Sequence, residues 1–407
     1  MEPFFTHTWT VIVAGGQGTR LFPISHKNCP KQFCELDKEN TFIQATVKRF
    51  IAIGVDPKHI VTVVTSDQQR WLAEEQLKMF GIPTQNTHQI PDYYGYVGAM
   101  VSAADFINKL DEDAVIINTP ADQYVEFNSN FELAIKSAVA SAKRGFPTIV
   151  GVHVNDINTI MGCGHAKYRV EDYLLVIDDF IEKPEQSKAE EIANHPEKYV
   201  CNTGINIWKA TTILGYVSMS SVRTASSFTK DSNDVDAILN TNYLMTRMKD
   251  DLKVMLGKFE WYDCGTLQSL YDVSEKHGEG ENVFLGAGEI NCQQCEHSLF
   301  YAPSNVELRV TKISDAAVVV NRINNKIVIV VIKFSESQEV RALAEDFIEH
   351  AKIINKDFAF GARNNVVPYS DISDDICVGF VGVDGHIVYA HKRRNNSIEV
   401  AVSPMMV

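Results

Sequence analysis

Four short apolar runs punctuate the first 150 or so residues: WTVIVA (9–14), IVTVVT (60–65), AVIIN (114–118) and TIVGV (148–152). Each is nearly continuous rather than alternating, the pattern of a strand buried on both faces. Between them, apolar residues recur at three- and four-residue spacing and predict helices over 41–53, 68–80, 98–110 and 131–142. Strands alternating with helices of about a dozen residues build βαβ units and a parallel sheet covered on both faces. Ligands of such sheets sit beyond the carboxyl ends of the strands. The glycine-rich stretch after the first run and the end of AVIIN are therefore expected on one rim.

The pattern changes near residue 285. Short β-rich runs appear at 298–301, 316–321 and 326–333, the last two joined by polar residues 322–325. A helical pattern spans 337–353. ICVGFVGV, Asp384-Gly385 and HIVYAHK then read as a terminal hairpin, because Asp-Gly between two apolar β runs is a strong turn signal. The expected organisation is an α/β domain over 1–285 and a smaller β-rich extension over 286–407 with one helix and a terminal hairpin. No internal repeat or low-complexity segment is apparent.

Charge narrows the partners. The 407-residue chain carries a formal net charge of −14 and no long Lys/Arg run, which argues against nucleic acid and against an anionic membrane surface. Small anionic ligands stay open, since a local pair of cations can oppose the global sign. No secretory pattern marks the N-terminus and no apolar run reaches the ~18 residues of a membrane span. The eight cysteines are scattered, and only Cys292 and Cys295 form a CxxC, without a second pair at zinc spacing. Reduced thiols and a cytoplasmic location are expected.

The stretch AGGQGTRLFPISHKNCPKQF (14–33) carries the candidate chemistry. Gly15, Gly16 and Gly18 follow a strand and lack side chains, so backbone N–H groups could approach an anion closely. No GK[ST] closes the stretch, and Leu21 occupies the third position of G-x-G-x-x-G, so neither the P-loop nor the dinucleotide fingerprint fits. A purely structural turn would use the same glycines. Arg20 adds a rigid fork of donors for phosphate oxygens and Lys31 a compact positive charge, with Pro23 and Pro30 stiffening the segment between them. That combination suits a triphosphate.

The same stretch resembles the opening of the sugar-1-phosphate nucleotidyltransferases, and its closing PKQF is similar to the mannose-1-phosphate guanylyltransferases among them. NTPADQYV (118–125), FIEKPE (180–185), CNTGINIW (201–208) and FEWYDCGTLQSLYD (259–272) resemble further motifs of that family, in the family's order. The resemblance covers roughly residues 9–275, and the segment after it loosely resembles the family's β-rich extension. It implies a Rossmann-like α/β nucleotidyltransferase domain with a mixed, mostly parallel sheet, followed by a smaller β-rich C-terminal region. The implied reaction joins GTP and a sugar 1-phosphate, mannose 1-phosphate above all, with release of pyrophosphate.

The resemblance also implies roles. The backbone of Ala14, Gly15, Gly16, Gly18 and Thr19 would cradle the nucleotide. Arg20 would draw pyrophosphate away and Lys31 would hold phosphate charge near the reacting centre. Asp122 and Asp263 would hold Mg²⁺, a hard cation that commonly takes one or two carboxylates plus substrate phosphates. Gly164, Glu182, Lys183, Asn202 and Gly204 would form the sugar pocket. Taken singly, each aspartate also reads as a loop cap, Glu182-Lys183 as an exposed ion pair before Pro184, and Asn202-x-Gly204 as a strand-edge turn. Cys29, Cys34 and Cys264 lie in or beside these motifs, but phosphoryl transfer of this kind needs no thiol.

Several segments depart from the family pattern. Gln123 stands where a histidine usually follows the aspartate, and YYGYVGAM (93–100) replaces a segment near the base. MGCGHAKYRV (161–170) places His165 where an aromatic is expected, and SNDVDAIL (232–239) is a faint echo. These positions bear on base and sugar more than on phosphate. A nucleotidyltransferase for another base or hexose 1-phosphate, and a non-catalytic GDP-sugar-binding subunit, therefore stay open as alternatives. The β-rich extension could pack against a second copy of the chain.

Overall fold

The continuous apolar runs become neighbouring strands. A computed structural model describes residues 3–37, 39–91, 94–218, 241–277, 280–304, 306–323, 326–335, 359–360, 376–381, 386–392 and 398–404. The predicted helix over 337–353, the segment 232–239, Tyr93 and the Asp384-Gly385 step lie outside the described residues. The chain divides into two compact units, Met1–Gly15 with Ile43–Asp263, and Gly16–Phe42 with Cys264–Val407. A single cut near 285 does not describe this division, because residues 16–42 join the later part of the chain.

The first unit holds a nine-stranded sheet. Its strands are β1 (Thr8–Val13), β2 (Ile60–Val64), β3 (Thr87–Gln89), β4 (Val115–Pro120), β6 (Thr148–Val152), β7 (Gly164–Glu171), β8 (Leu174–Glu182), β9 (Tyr199–Lys209) and β10 (Lys253–Leu256). A separate ribbon joins β5 (Tyr124–Val125) to β11 (Trp261–Tyr262). The sheet order is β3-β2-β1-β4-β9-β6-β10-β8-β7, and all but β8 and β9 run in one direction. The sheet is thus mixed, with β9 inserted antiparallel between β4 and β6. All five residues of β2 and of β6 are buried, as a strand covered on both faces requires.

Helices α1 (Phe42–Ala52), α2 (Asp67–Leu77), α3 (Gly95–Leu110) and α4 (Ser129–Lys143) occupy the four predicted positions. Their starts follow local chemistry. The Ser66 hydroxyl accepts the Gln69 N–H at the head of α2, and Asn128 Oδ1 accepts two N–H groups at 3.0 Å at the head of α4. Val97, Met100, Val101, Ala104 and Ile107 of α3 are buried in the unit's main core with Val11, Val61, Val63 and Ile116. No helix among the described residues is long and apolar enough to cross a membrane.

The second unit is β-rich, as expected. Strands β12 (Val283–Leu285), β14 (Leu299–Tyr301) and β16 (Ala316–Ile323) stack in parallel register. The strands between them in sequence, β13 (Glu289–Gln293) and β15 (Val306–Thr311), stack in a second sheet with β21 (Ile398–Pro404). Successive strands alternate between the two sheets, so the chain winds in coils around Phe300, Leu308, Val310, Val318 and Val400. These coils are a structural repeat that the sequence, with no recurring residue motif, did not announce. Strand β17 (Lys326–Lys333) pairs antiparallel with β16.

Among the described residues, the two runs flanking Asp384-Gly385, expected to form a terminal hairpin, do not pair with each other. Strand β19 (Ile376–Val381) runs parallel to β17 and to the short β18 (Ala359–Phe360) in one sheet, whereas β20 (His386–Lys392) pairs antiparallel with β21 in the other. An Asp-Gly step permits a reversal but does not choose partners, and each run finds another strand instead.

Residues 16–42 are built into this second unit. Leu21, Phe22, Ile24 and Phe33 are all buried, and Asn321 of β16 donates to the carbonyl of Pro23 at 2.6 Å and to that of Ile24 at 3.4 Å. Replacing Asn321 by Leu strands the buried Pro23 carbonyl and leaves that of Ile24 with the weak Cys34 thiol donor at 3.4 Å. It should lower unfolding free energy by about 1–3 kcal/mol, read as a lower urea midpoint at unchanged slope. An unchanged midpoint would show that the tether carries no stability.

Candidate active site

In the first unit the ends of β1, β2 and β4 are locked together. Ala14 N–H donates to the Val63 carbonyl at 2.8 Å and Ala121 N–H to that of Val13 at 3.1 Å. The Gly15 carbonyl accepts from Thr65 Oγ1 at 3.0 Å and from Gln69 Nε2 at 3.2 Å, and a Cβ on Gly15 would sit 2.6 Å from Thr65 Cγ2. Ala14 and Gly15 thus share a rim with the residues that follow β4, as the strand pattern requires.

The rest of the opening stretch belongs to the second unit. Thr19–Leu21 and Lys31–Phe33 form short 3₁₀ turns. Gly18 has φ +54°, and a Cβ there would meet the Lys31 backbone N and Cβ at 2.7 Å. Gln32 Nε2 donates to the Gly16 carbonyl at 2.9 Å. The glycines therefore lie directly against the PKQF turn, and Gln32, whose role the sequence did not reveal, staples one to the other. Lys31 is only 2% exposed, with its ammonium 5.4 Å from the centre of the Phe42 ring, while Arg20 is exposed.

The two aspartates come from distant parts of the first unit. In the β5–β11 ribbon, Tyr124 pairs with Tyr262 and Val125 with Trp261. Asp122 lies two residues before Tyr124 and Asp263 directly follows Tyr262, so both leave the ribbon at the same end. The ribbon is fastened at both ends. Glu126 N–H donates to the Glu260 carbonyl at 2.9 Å while Glu260 N–H returns a bond to Glu126 Oε2 at 3.1 Å. Beside the aspartates, the Trp261 indole N–H donates to Gln123 Oε1 at 3.0 Å.

Asp122 is half-buried, and its charge adds to burial in pushing the Tyr96 phenol up. The Tyr96 hydroxyl donates to the Gly204 carbonyl at 2.9 Å. Among the described residues no group of three or more His, Cys, Asp or Glu side chains could hold a metal ion. The aspartate pair offers hard carboxylate oxygens of the type Mg²⁺ takes, with the remaining coordination left for phosphate and water.

Gly164 pairs with Glu182 across β7 and β8, and a Cβ on Gly164 would lie 2.6 Å from Glu182 Oε2 and 2.9 Å from Phe180 Cζ. The glycine leaves the room that the glutamate occupies. Glu182 keeps access to solvent, yet desolvation by its surroundings raises its pKa, with Lys183 opposing. Lys183 adopts φ +45°, a strained value for a side-chain-bearing residue, and its N–H donates to the Cys163 carbonyl at 3.1 Å. Asn202 Oδ1 accepts the Gly204 N–H at 3.0 Å, and Gly204 has φ +78° with Pro120 Cγ 2.7 Å from its missing Cβ. The Cys201 thiol is pushed up by its hydrogen bond with Cys163, then by burial, and further by the charges of Asp263 and Glu182.

Those two acids therefore share one electrostatic neighbourhood in the first unit. The Asp122 charge reaches Tyr96, whose hydroxyl bonds Gly204 in the asparagine–glycine turn. Tyr96 and Trp261 take part here without having been singled out from sequence. A cavity of about 490 Å³ lies beside the ribbon, lined by His153, Asn155, Lys258, Glu260 and Tyr262 among others, and none of the predicted residues lines it.

Residues 9–280 match the model of the nucleotidyl transferase family. The chain belongs to that family. It is 27% identical over 299 residues to the xanthan biosynthesis protein XanB of Xanthomonas campestris pv. campestris, an alignment covering 70% of this chain and 63% of XanB. The chain thus spans less than two thirds of that relative's length. It is 26% identical over 336 residues to an Escherichia coli mannose-1-phosphate guanylyltransferase, covering 77% of this chain and 70% of the relative. Among solved structures, a Thermus thermophilus protein described as a mannose-1-phosphate geranyltransferase superposes with a TM-score of 0.67 at 21% identity. That alignment covers 84% of this chain and all of the other, and supports the fold.

His165, at the position where an aromatic was expected, is buried. Its Nδ1 lies 3.2 Å from the Cys163 carbonyl, Nε2 has no partner, and burial lowers its pKa to about 4. The unfolded chain takes up a proton near pH 6.5 that the folded chain refuses until about pH 4. Stability from this site is complete above 6.5 and is lost as pH falls toward 4, by about 1.4 kcal/mol per pH unit. Chemical denaturation from about pH 7 down to about pH 4 should show that loss and a flatter profile for His165→Phe. Equal slopes for both would remove His165 as the source.

Proposed function

We propose that the protein transfers a guanylyl group from GTP to a sugar 1-phosphate, most directly mannose 1-phosphate, giving a GDP-sugar and pyrophosphate. The observation that carries this reading is the ribbon that delivers Asp122 and Asp263 to one end, in a chain of the nucleotidyl transferase family. The names of its relatives supply the choice of guanine and mannose.

The sugar phosphate oxygen attacks the α-phosphorus in line as pyrophosphate leaves, so no side-chain nucleophile is required. Positioning and charge neutralisation supply the rate enhancement. In this reading the backbone of Ala14, Gly15, Gly16, Gly18 and Thr19 receives the nucleotide. Arg20 accompanies the pyrophosphate, its planar fork matching two oxygens at once, and Lys31 neutralises charge near the reacting phosphoryl group. Its low exposure strengthens that interaction, because little water competes.

Asp122 and Asp263 hold Mg²⁺, which when bound supplies Lewis-acid neutralisation of phosphate oxygens. Glu182 accepts hydrogen bonds from vicinal sugar hydroxyls and keeps its room through Gly164. Lys183 pairs with the 1-phosphate. Asn202 and Gly204 border the ring, where the absent side chain permits close approach.

With GTP, mannose 1-phosphate and Mg²⁺, the isolated chain should release pyrophosphate. Asp122→Asn and Asp263→Asn should each cut turnover at least about 100-fold, and Lys31→Gln by a comparable factor. Failure to release pyrophosphate across four nucleoside triphosphates and several sugar 1-phosphates would refute catalysis. Binding of GDP-mannose without turnover would then identify a sensor. Near-normal rates in both aspartate variants would remove those residues from the metal site.

A further inference from the structure

We propose that Gln123 is a positioning residue that fixes the relative placement of Asp122 and Asp263, a role that rests on reading those aspartates as the metal pair. The family resemblance leads to a histidine at position 123, so Gln123 is a departure from it to which the sequence gives no task.

The ribbon that joins the two aspartate segments pairs only two residues on each strand. Such a short ladder has little rigidity of its own. At the end away from the aspartates, Glu126 and Glu260 exchange two bonds. At the aspartate end, the Gln123–Trp261 bond ties the residue directly after Asp122 to the residue two before Asp263. Both partners are buried, at 7% and 6% exposure, so water does not compete and the bond is correspondingly directional.

The other end of the Gln123 amide is also confined. Its Nε2 lies 3.8 Å from where a Cβ of Gly204 would sit, and Gly204 in turn accepts the Tyr96 hydroxyl. One planar amide is thus wedged between the Trp261 strand and the Gly204 turn, with its oxygen aimed at the first. Loss of the acceptor frees the aspartate end of the ribbon while leaving both carboxylates in the chain.

The test measures Mn²⁺ affinity of the full chain without nucleotide, by electron paramagnetic resonance of free Mn²⁺. Gln123→Leu and Trp261→Phe should each weaken affinity by about 10-fold, the usual scale for removing the support of a metal ligand. The double variant should lose no more than either single one, because both remove the same bond. Trp261→Phe alone decides the matter if Gln123→Leu does not fold. Additive losses, or wild-type affinity in Trp261→Phe, would overturn the positioning role. Asp122→Asn and Asp263→Asn serve as controls. If they bind Mn²⁺ like the wild type, the metal-pair reading itself falls. If they lose it while Gln123→Leu and Trp261→Phe keep it, only the role of Gln123 falls.

Discussion

Two carboxylates that leave the same end of a ribbon repel each other, and nothing in their local sequences brings them together. What does so is backbone pairing between Tyr124-Val125 and Trp261-Tyr262, two short segments that are far apart in the chain. Unscreened like charges a few ångströms apart cost on the order of 1 kcal/mol in water and several times more where water is sparse. In the proposed reading the fold imposes their proximity, and a bound cation would turn the same arrangement from a cost into a binding site. The buried Gln123–Trp261 bond and the double link through Glu126 fasten the ribbon that carries them.

Glycines do comparable work by omission. Gly15 admits Thr65, Gly164 admits the Glu182 carboxylate, and Gly204 admits Pro120, each at a distance a Cβ would forbid. At Gly164 and Gly204 the admitted groups border the proposed sugar pocket. In that reading its shape is specified as much by absent side chains as by present ones. Strain appears in the same segments, in the left-handed backbone of Lys183 and of Cys264, the residue after Asp263.

The sequence revealed what local chemistry controls. β1, β2, β4 and β6 were legible because each is a continuous apolar run, and α1 to α4 because their apolar spacing is regular. β7 and β8 were not read as strands, since Lys167, Arg169, Glu171 and Asp178 interrupt any uniform pattern. β9 was read as a motif, and its insertion between β4 and β6 depends on partners distant in sequence. The opening stretch was read for phosphate chemistry, but its membership of the β-rich unit was not legible. That depends on Asn321 reaching Pro23 and Ile24 from far along the chain. Gln32, Tyr96 and Trp261 escaped notice for the same reason, because their partners are fixed by tertiary contacts.

The most direct test of the central claim is anomalous scattering from crystals of the protein grown with Mn²⁺ and GTP. A manganese peak bound by carboxylate oxygens of both Asp122 and Asp263, with nucleotide phosphate beside it, is expected. A peak that touches neither aspartate, or GTP bound with manganese elsewhere on the chain, would contradict it.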